Sequence, residues 1–356
     1  MGKIMQSTPE VPYPEEHLIQ RLTALWGLTE AGLGGVIHSL RIPFTGIVVG
    51  STAIILITLI AFFGRKRPAV ILRSTAVVLI IKAGVSPHTP IPAYIAVLFQ
   101  GCMAAWLFRC LPGIRLPAMI LGIAGLIEGV CQKFISMTIV YGKSVWEAID
   151  LLGRKLSTQW GLDGSLEHAS AWLIGIFVIY YGIGGIITGW LAGIIPLKIQ
   201  ELLRVHQACS PAIPPAAAPM LPRKTRRHWP YRRLLPAALI LVMIVLVYGL
   251  LYADTSYRSK ILYILCRTLL VLGAWFFLLG PLIRKWIHQL QKKKHVMYGE
   301  EVSQALHLMP HIRKMAGPAW AETVHENRFV RWYHFLIRWV VYSIAFDENA
   351  RSAKDT

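Results

Sequence analysis

Long apolar runs in this chain are separated by loops of two kinds, and concentrated basic charge falls on every second loop. Arg65-Lys66-Arg67, Arg109 to Arg115, Arg223 to Arg233 and Arg284 to Lys294 carry that charge. A bilayer core takes about 20 apolar residues per helix. On that ruler eight spans fit: Leu22–Leu40, Pro43–Phe63, Ala69–Val85, Ala93–Leu111, Leu116–Tyr141, Ala171–Leu197, Leu234–Tyr252 and Ile261–Leu282. Excess Lys and Arg mark cytoplasmic loops, so placing Arg65 to Arg67 inside puts the N-terminus, the other basic loops and the C-terminus inside without an inversion. The outside loops are then Ser39–Ile42, Ser86–Pro92, Gly142–His168 and Ala253–Lys260, the third being the only long one and balanced in sign. The expected fold class is all-α: a polytopic helix bundle in the cytoplasmic (inner) membrane, with about eight transmembrane helices plus cytoplasmic amphipathic helices.

A composition of 55% hydrophobic and only 15% charged residues excludes a large water-soluble core. The net charge of +19 crowds the ends of apolar spans, where anionic lipid headgroups would meet it, so the basic balance points to a membrane surface and away from nucleic acid. Cys102, Cys110, Cys131, Cys209 and Cys266 are scattered without a CxxC pair and read as small apolar fillers. Met1 to Arg21 lacks the basic-then-apolar order of a cleaved signal. Between the sixth and seventh spans, the prolines of Ala208–Pro230 preclude continuous helix. They suggest a six-span module over 1–198, a basic linker over 199–233 and a two-span module over 234–356. Past the eighth span, Val302, Leu306, Met309 and Ile312 form one apolar stripe in Glu301–Met315. Phe329–Phe346 is apolar and aromatic with Arg331, His334 and Arg338 on one face, the pattern of an interfacial helix.

Small residues let membrane helices approach closely. Gly27, Ala31 and Gly35 make such a stripe on the first span, Gly125 and Gly129 on the fifth, and Gly185, Gly189 and Gly193 on the sixth. The last two read as internal packing; the first reads equally as packing or as the face offered to a second membrane subunit. Ionisable groups inside spans are costly and therefore functional candidates. Glu30, Lys82, Glu128 and Lys133 are the set, with Gln100 and Gln132 beside them and His38 and His88 at the outer rim. Glu128 and Gln132, four apart, share a helix face. These groups fit a polar pocket opening outward, or a structural Glu–Lys pair that neutralises itself. His307 and His311 are separated by Pro310 and have no carboxylate beside them, so no metal site is expected. The chain has no GxxxxGK[ST], HExxH or GxSxG, so it reads as non-enzymatic, without a cofactor, and any active transport would draw energy from another chain.

The six spans of residues 22–198, the first-span stripe, Gly34-Gly35-Val36-Ile37-His38 leading to Ile42-Pro43-Phe44-Thr45-Gly46, and the outer loop Ser86-Pro87-His88-Thr89-Pro90-Ile91-Pro92 together resemble the substrate-binding S component of energy-coupling factor vitamin transporters. The C-terminal half more faintly resembles their coupling component, although it lacks that subunit's alanine-arginine-glycine signatures. The resemblance implies a small vitamin-like or cofactor-precursor solute, bound beneath the outer loops. It also implies a transmembrane coupling subunit docked on Gly27, Ala31 and Gly35, and separate ATPase subunits as partners. Two other classes remain open: a noncatalytic scaffold recruiting a cytoplasmic or envelope-assembly partner, and a lipid-modifying membrane enzyme with Glu30 or Glu128 as general base.

Overall fold

The computed structural model describes residues 12–33, 45–86, 91–159, 168–208, 268 and 280–346. Among the described residues every regular element is a helix. They are α1 (Glu15–Leu28, continued by a π turn over Thr29–Leu33), α2 (Thr45–Phe63), α3 (Pro68–Val85), α4 (Ile91–Cys110), α5 (Arg115–Tyr141), α6 (Ser144–Gln159), α7 (Ala169–Ala208), α8 (Gly280–Ala321) and α9 (Arg328–Ala345). Five of these, α2 to α5 and α7, are long and apolar enough to cross a membrane, so the protein is an all-α, membrane-embedded bundle. They correspond to the second to sixth expected spans. The seventh and eighth, with most of the proline-rich linker, lie outside the described residues, apart from positions 268 and 280–282.

The chain divides into two compact units: Met1–Gln132 with Phe177–Ala218 and Gln289–Thr356, and Lys133–Ile176 with Pro219–His288. In the first unit α1 is enclosed by the chain itself, with Leu22, Leu25 and Trp26 fully buried against α2, α3 and α9. This changes the reading of the first span. The helix starts at Glu15, ends as regular α-helix at Leu28, and buries Arg21 as well as its apolar face. Burial of that guanidinium requires a partner, and Arg21 Nη1 donates to the Ser343 carbonyl at 3.1 Å, near the end of α9. His17 Nε2 lies 3.1 Å from the neighbouring Ile344 carbonyl.

The α2–α3 connection is a tight turn in which Arg65 and Lys66 take φ of 53° and 56°. Gly64 N–H donates to the Ile60 carbonyl at 2.8 Å and Lys66 N–H to that of Ala61 at 2.7 Å, closing α2. Pro68 opens α3 at its first turn, where its missing N–H removes no helical bond. Farther along, α5 and α7 meet backbone to backbone: a Cβ at Gly122 would lie 2.4 Å from the Gly185 carbonyl oxygen, and one at Gly189 would lie 2.5 Å from Met119 Cα. The sixth-span glycines are therefore internal packing, as expected. Beside that seam, α7 exposes Ile179, Ile183, Ile186 and Trp190, a helical stripe suited to lipid.

The C-terminal segment departs most from expectation. A non-helical Tyr298 kinks α8, and the arm over residues 299–321 buries Val302, Ala305, Met309, Ile312, Met315 and Ala319. Val302, Met309 and Ile312 of the amphipathic stripe thus fill the first unit's own core, while Leu306 stays exposed. Helix α9 folds back on it, with Trp339 Nε1 donating to the Ile312 carbonyl at 2.9 Å. Its basic face is partly paired within the chain. Arg338 lies 3.4 Å from Glu322 and 3.7 Å from Glu326, His334 Nδ1 lies 2.5 Å from Glu326, and Arg331 stacks 3.8 Å above Trp320. These carboxylates come from the turn between the two helices, which a helix-by-helix reading leaves out.

The second unit shows that the long loop Gly142–His168 contains a helix, α6. Trp146 Nε1 donates to Thr138 Oγ1 at 3.0 Å, and Asp150 accepts the Ser170 N–H at 2.8 Å. That bond, at the start of α7, holds the Asp150 carboxyl below the usual carboxylate range.

Candidate functional site

Glu30 stands in the π turn that follows α1, anchored locally by the Thr29 hydroxyl donating to the Trp26 carbonyl at 2.8 Å. A π turn rotates its side chains relative to a continuing α-helix, and such turns often occur at functional positions. Here it brings Glu30 to Lys82 on α3. Lys82 Nζ donates to Glu30 Oε2 at 2.6 Å and to the Ala93 carbonyl at 3.1 Å. Both side chains are only 6% exposed. Lys82 also lies in the last turn of its helix, where a cation complements the carbonyl end of the helix dipole. Two charges so enclosed neutralise one another, and removing either would strand its partner. The lysine's partner is therefore Glu30, 52 residues away, and the pair joins the end of α1 to α3 and α4.

A second polar group lies on α4 and α5. Gln100 is buried against Gly125, where an added Cβ would lie 3.5 Å from its Cγ. One turn farther along α5, Gln132 donates to Glu128 Oε1, as their four-residue spacing predicts. The other carboxylate oxygen, Glu128 Oε2, is enclosed and has no hydrogen-bond partner among the described residues. Gly129 beside it has open space where a side chain would stand. An enclosed acceptor in a membrane-spanning helix is costly until a donor reaches it, so Glu128 can take a hydrogen bond from a solute or a proton. Lys133 is exposed and lies in the other compact unit. His38, His88 and Gly35 lie outside the described residues.

The first-span stripe is partly taken up inside the molecule. A Cβ at Gly27 would meet Met309 Cε at 2.9 Å and Ile81 Cδ1 at 3.2 Å, so this glycine admits the arm of α8 and is unavailable to an outside subunit. Ala31 is half-buried.

Sequence reasoning missed a cleft of about 380 Å³ between α1, α3 and that same arm, lined by Glu15, Glu16, Arg67, Arg73 and Glu301 among others. Arg67 pairs with Glu15 and Arg73 with Glu301. Burial alone would raise the Glu301 carboxyl, but the Arg73 hydrogen bond and charge hold it below the usual range. None of the six described solute-binding candidates lines this cleft. Comparison with known protein families, characterised proteins and solved structures finds no match.

Proposed function

We propose that the chain is the solute-binding membrane component of an uptake transporter, taking a small vitamin-like or cofactor-precursor solute and driven by separate ATPase subunits. The observation that carries this reading is the enclosed, unpartnered carboxylate oxygen of Glu128 on a membrane-spanning helix, with Gln132 fixing the other oxygen. Polar groups at membrane depth are retained at a cost, and a solute donor that completes the hydrogen bonding offsets it. Gln100 on α4, packed against Gly125 one turn before Glu128 on α5, supplies a further amide. Lys82 serves the scaffold, because its charge is committed to Glu30. In this reading the basic loops face the cytoplasm, the solute enters from outside, and the bundle reorients against a coupling subunit.

The test is native mass spectrometry of gently purified full-length protein, joined to uptake measurements in cells. A small molecule retained by the wild type, with retention and uptake both reduced in Glu128→Gln at normal expression, is the expected result. If the wild type carries no small molecule and Glu128→Gln leaves growth and uptake of every tested vitamin unchanged, the reading fails.

A further inference from the structure

The cleft between α1, α3 and the 299–321 arm of α8 has its own chemistry, independent of Glu128. We propose that it holds one phospholipid whose headgroup joins a phosphate to a primary ammonium, an ethanolamine-type lipid. Depth is the first argument. Helix α3 is a membrane-span candidate beginning at Pro68, so Arg67 stands at headgroup level. The cleft descends from there to Val77, ten residues and about 15 Å along the helix. Its lining mixes charge with apolar wall: Glu15, Glu16 and Arg67 stand at the mouth, Ile19 and Val70 follow one turn in, and Arg73, paired with Glu301, lies beside the Thr23 and Ser74 hydroxyls, bonded at 2.9 Å, with Val77 deepest.

Charge is the second argument. Three carboxylates, Glu15, Glu16 and Glu301, face two guanidiniums, Arg67 and Arg73. Arg65 Nε also lies 3.6 Å from Glu15, so the charges balance; a purely anionic headgroup meets no net attraction, whereas a zwitterion finds a partner for each end. Arg67 spends Nε on the Gly64 carbonyl at 3.2 Å and one Nη on Glu15, and Arg73 spends one Nη on Glu301. Each guanidinium keeps N–H groups for phosphate oxygens, and both side chains remain more than half exposed, at 55% and 54%. Glu16 is exposed and has no ion-pair partner among the described residues, which leaves it for the ammonium. At about 380 Å³ the cleft sits near the lower end of small-molecule sites, roughly 300–1,000 Å³. That suits a headgroup whose acyl chains continue into the bilayer.

The experiment uses the full chain in detergent, offered equal amounts of phosphatidylethanolamine, phosphatidylcholine and phosphatidylglycerol with identical acyl chains, and read by native mass spectrometry. Wild type should retain one phosphatidylethanolamine in about tenfold preference, the scale of one charge-assisted hydrogen bond. Glu16→Gln, an exposed change that leaves the packing intact, should erase the preference for ethanolamine over choline. Arg67→Gln with Arg73→Gln should lose the bound phospholipid whatever its headgroup. A parallel arm adds soluble phosphoethanolamine: if it binds alone and displaces the lipid, the headgroup chemistry stands and its source is a free metabolite. Equal retention of the three lipids by wild type, or an ethanolamine preference unchanged in Glu16→Gln, overturns the proposal.

Discussion

Lys82 and Glu30 illustrate how little a lone ionisable residue in an apolar run says about its role. Each is a functional candidate when read singly, since charge is expensive at membrane depth. Together, 2.6 Å apart and almost fully enclosed, they form a tie between helices. The sequence shows both residues but not their meeting, because the pairing depends on a π turn that redirects Glu30, and no local pattern marks that turn. Glu128 and Gln132 were legible as a pair because both lie on one helix, four residues apart. The tie has a measurable signature. Lys82→Met alone should cost about 3–5 kcal/mol, since it strands a buried carboxylate, and the double variant Lys82→Met, Glu30→Met should recover most of it. Thermal unfolding in detergent reads this; a double variant as unstable as the single would show that the pair is not the source of the loss.

Helices were legible where composition alone decides them. Apolar runs of span length became α2 to α5 and α7, and basic residues marked the α2–α3 turn. Helix α6 was hidden by sign-balanced charge in Gly142–His168, although Trp146, Ile149, Leu152 and Leu156 recur at helical spacing. The α8 stripe was visible, but its destination was not: an amphipathic face is the same pattern whether it meets a foreign subunit or its own chain. Glycine stripes share that ambiguity, and geometry resolves it one residue at a time. Gly189→Leu should break the α5–α7 seam, because its side chain would run into the Met119 and Ala118 backbone, which cannot rotate away. Gly129→Leu, facing open space, should leave folding intact. Size-exclusion profiles of the two variants in detergent test this; indistinguishable profiles would remove the seam from the stabilising contacts.

At the scale of the whole molecule, sequence order and spatial order diverge. The compact unit that contains α1 to α4 also contains residues beyond Gln289, so a linear division into modules does not describe its packing. Truncation after Lys294 removes the buried residues between Val302 and Ala319 and the α9 carbonyl that accepts from Arg21. The truncated protein should therefore lose membrane yield and aggregate on extraction, while one ending after Phe346 keeps both. A well-folded fragment ending at Lys294 would show that α1 needs none of these contacts. The bond from Arg21 to the Ser343 carbonyl also sets a schedule. Its ends are 322 residues apart; at about 5–20 residues per second of synthesis, Arg21 waits roughly 15–65 s for its acceptor to be made. During that interval the newborn protein carries a cation whose eventual shelter does not yet exist, so water, lipid headgroups or the insertion machinery must hold α1 until Ser343 has been made.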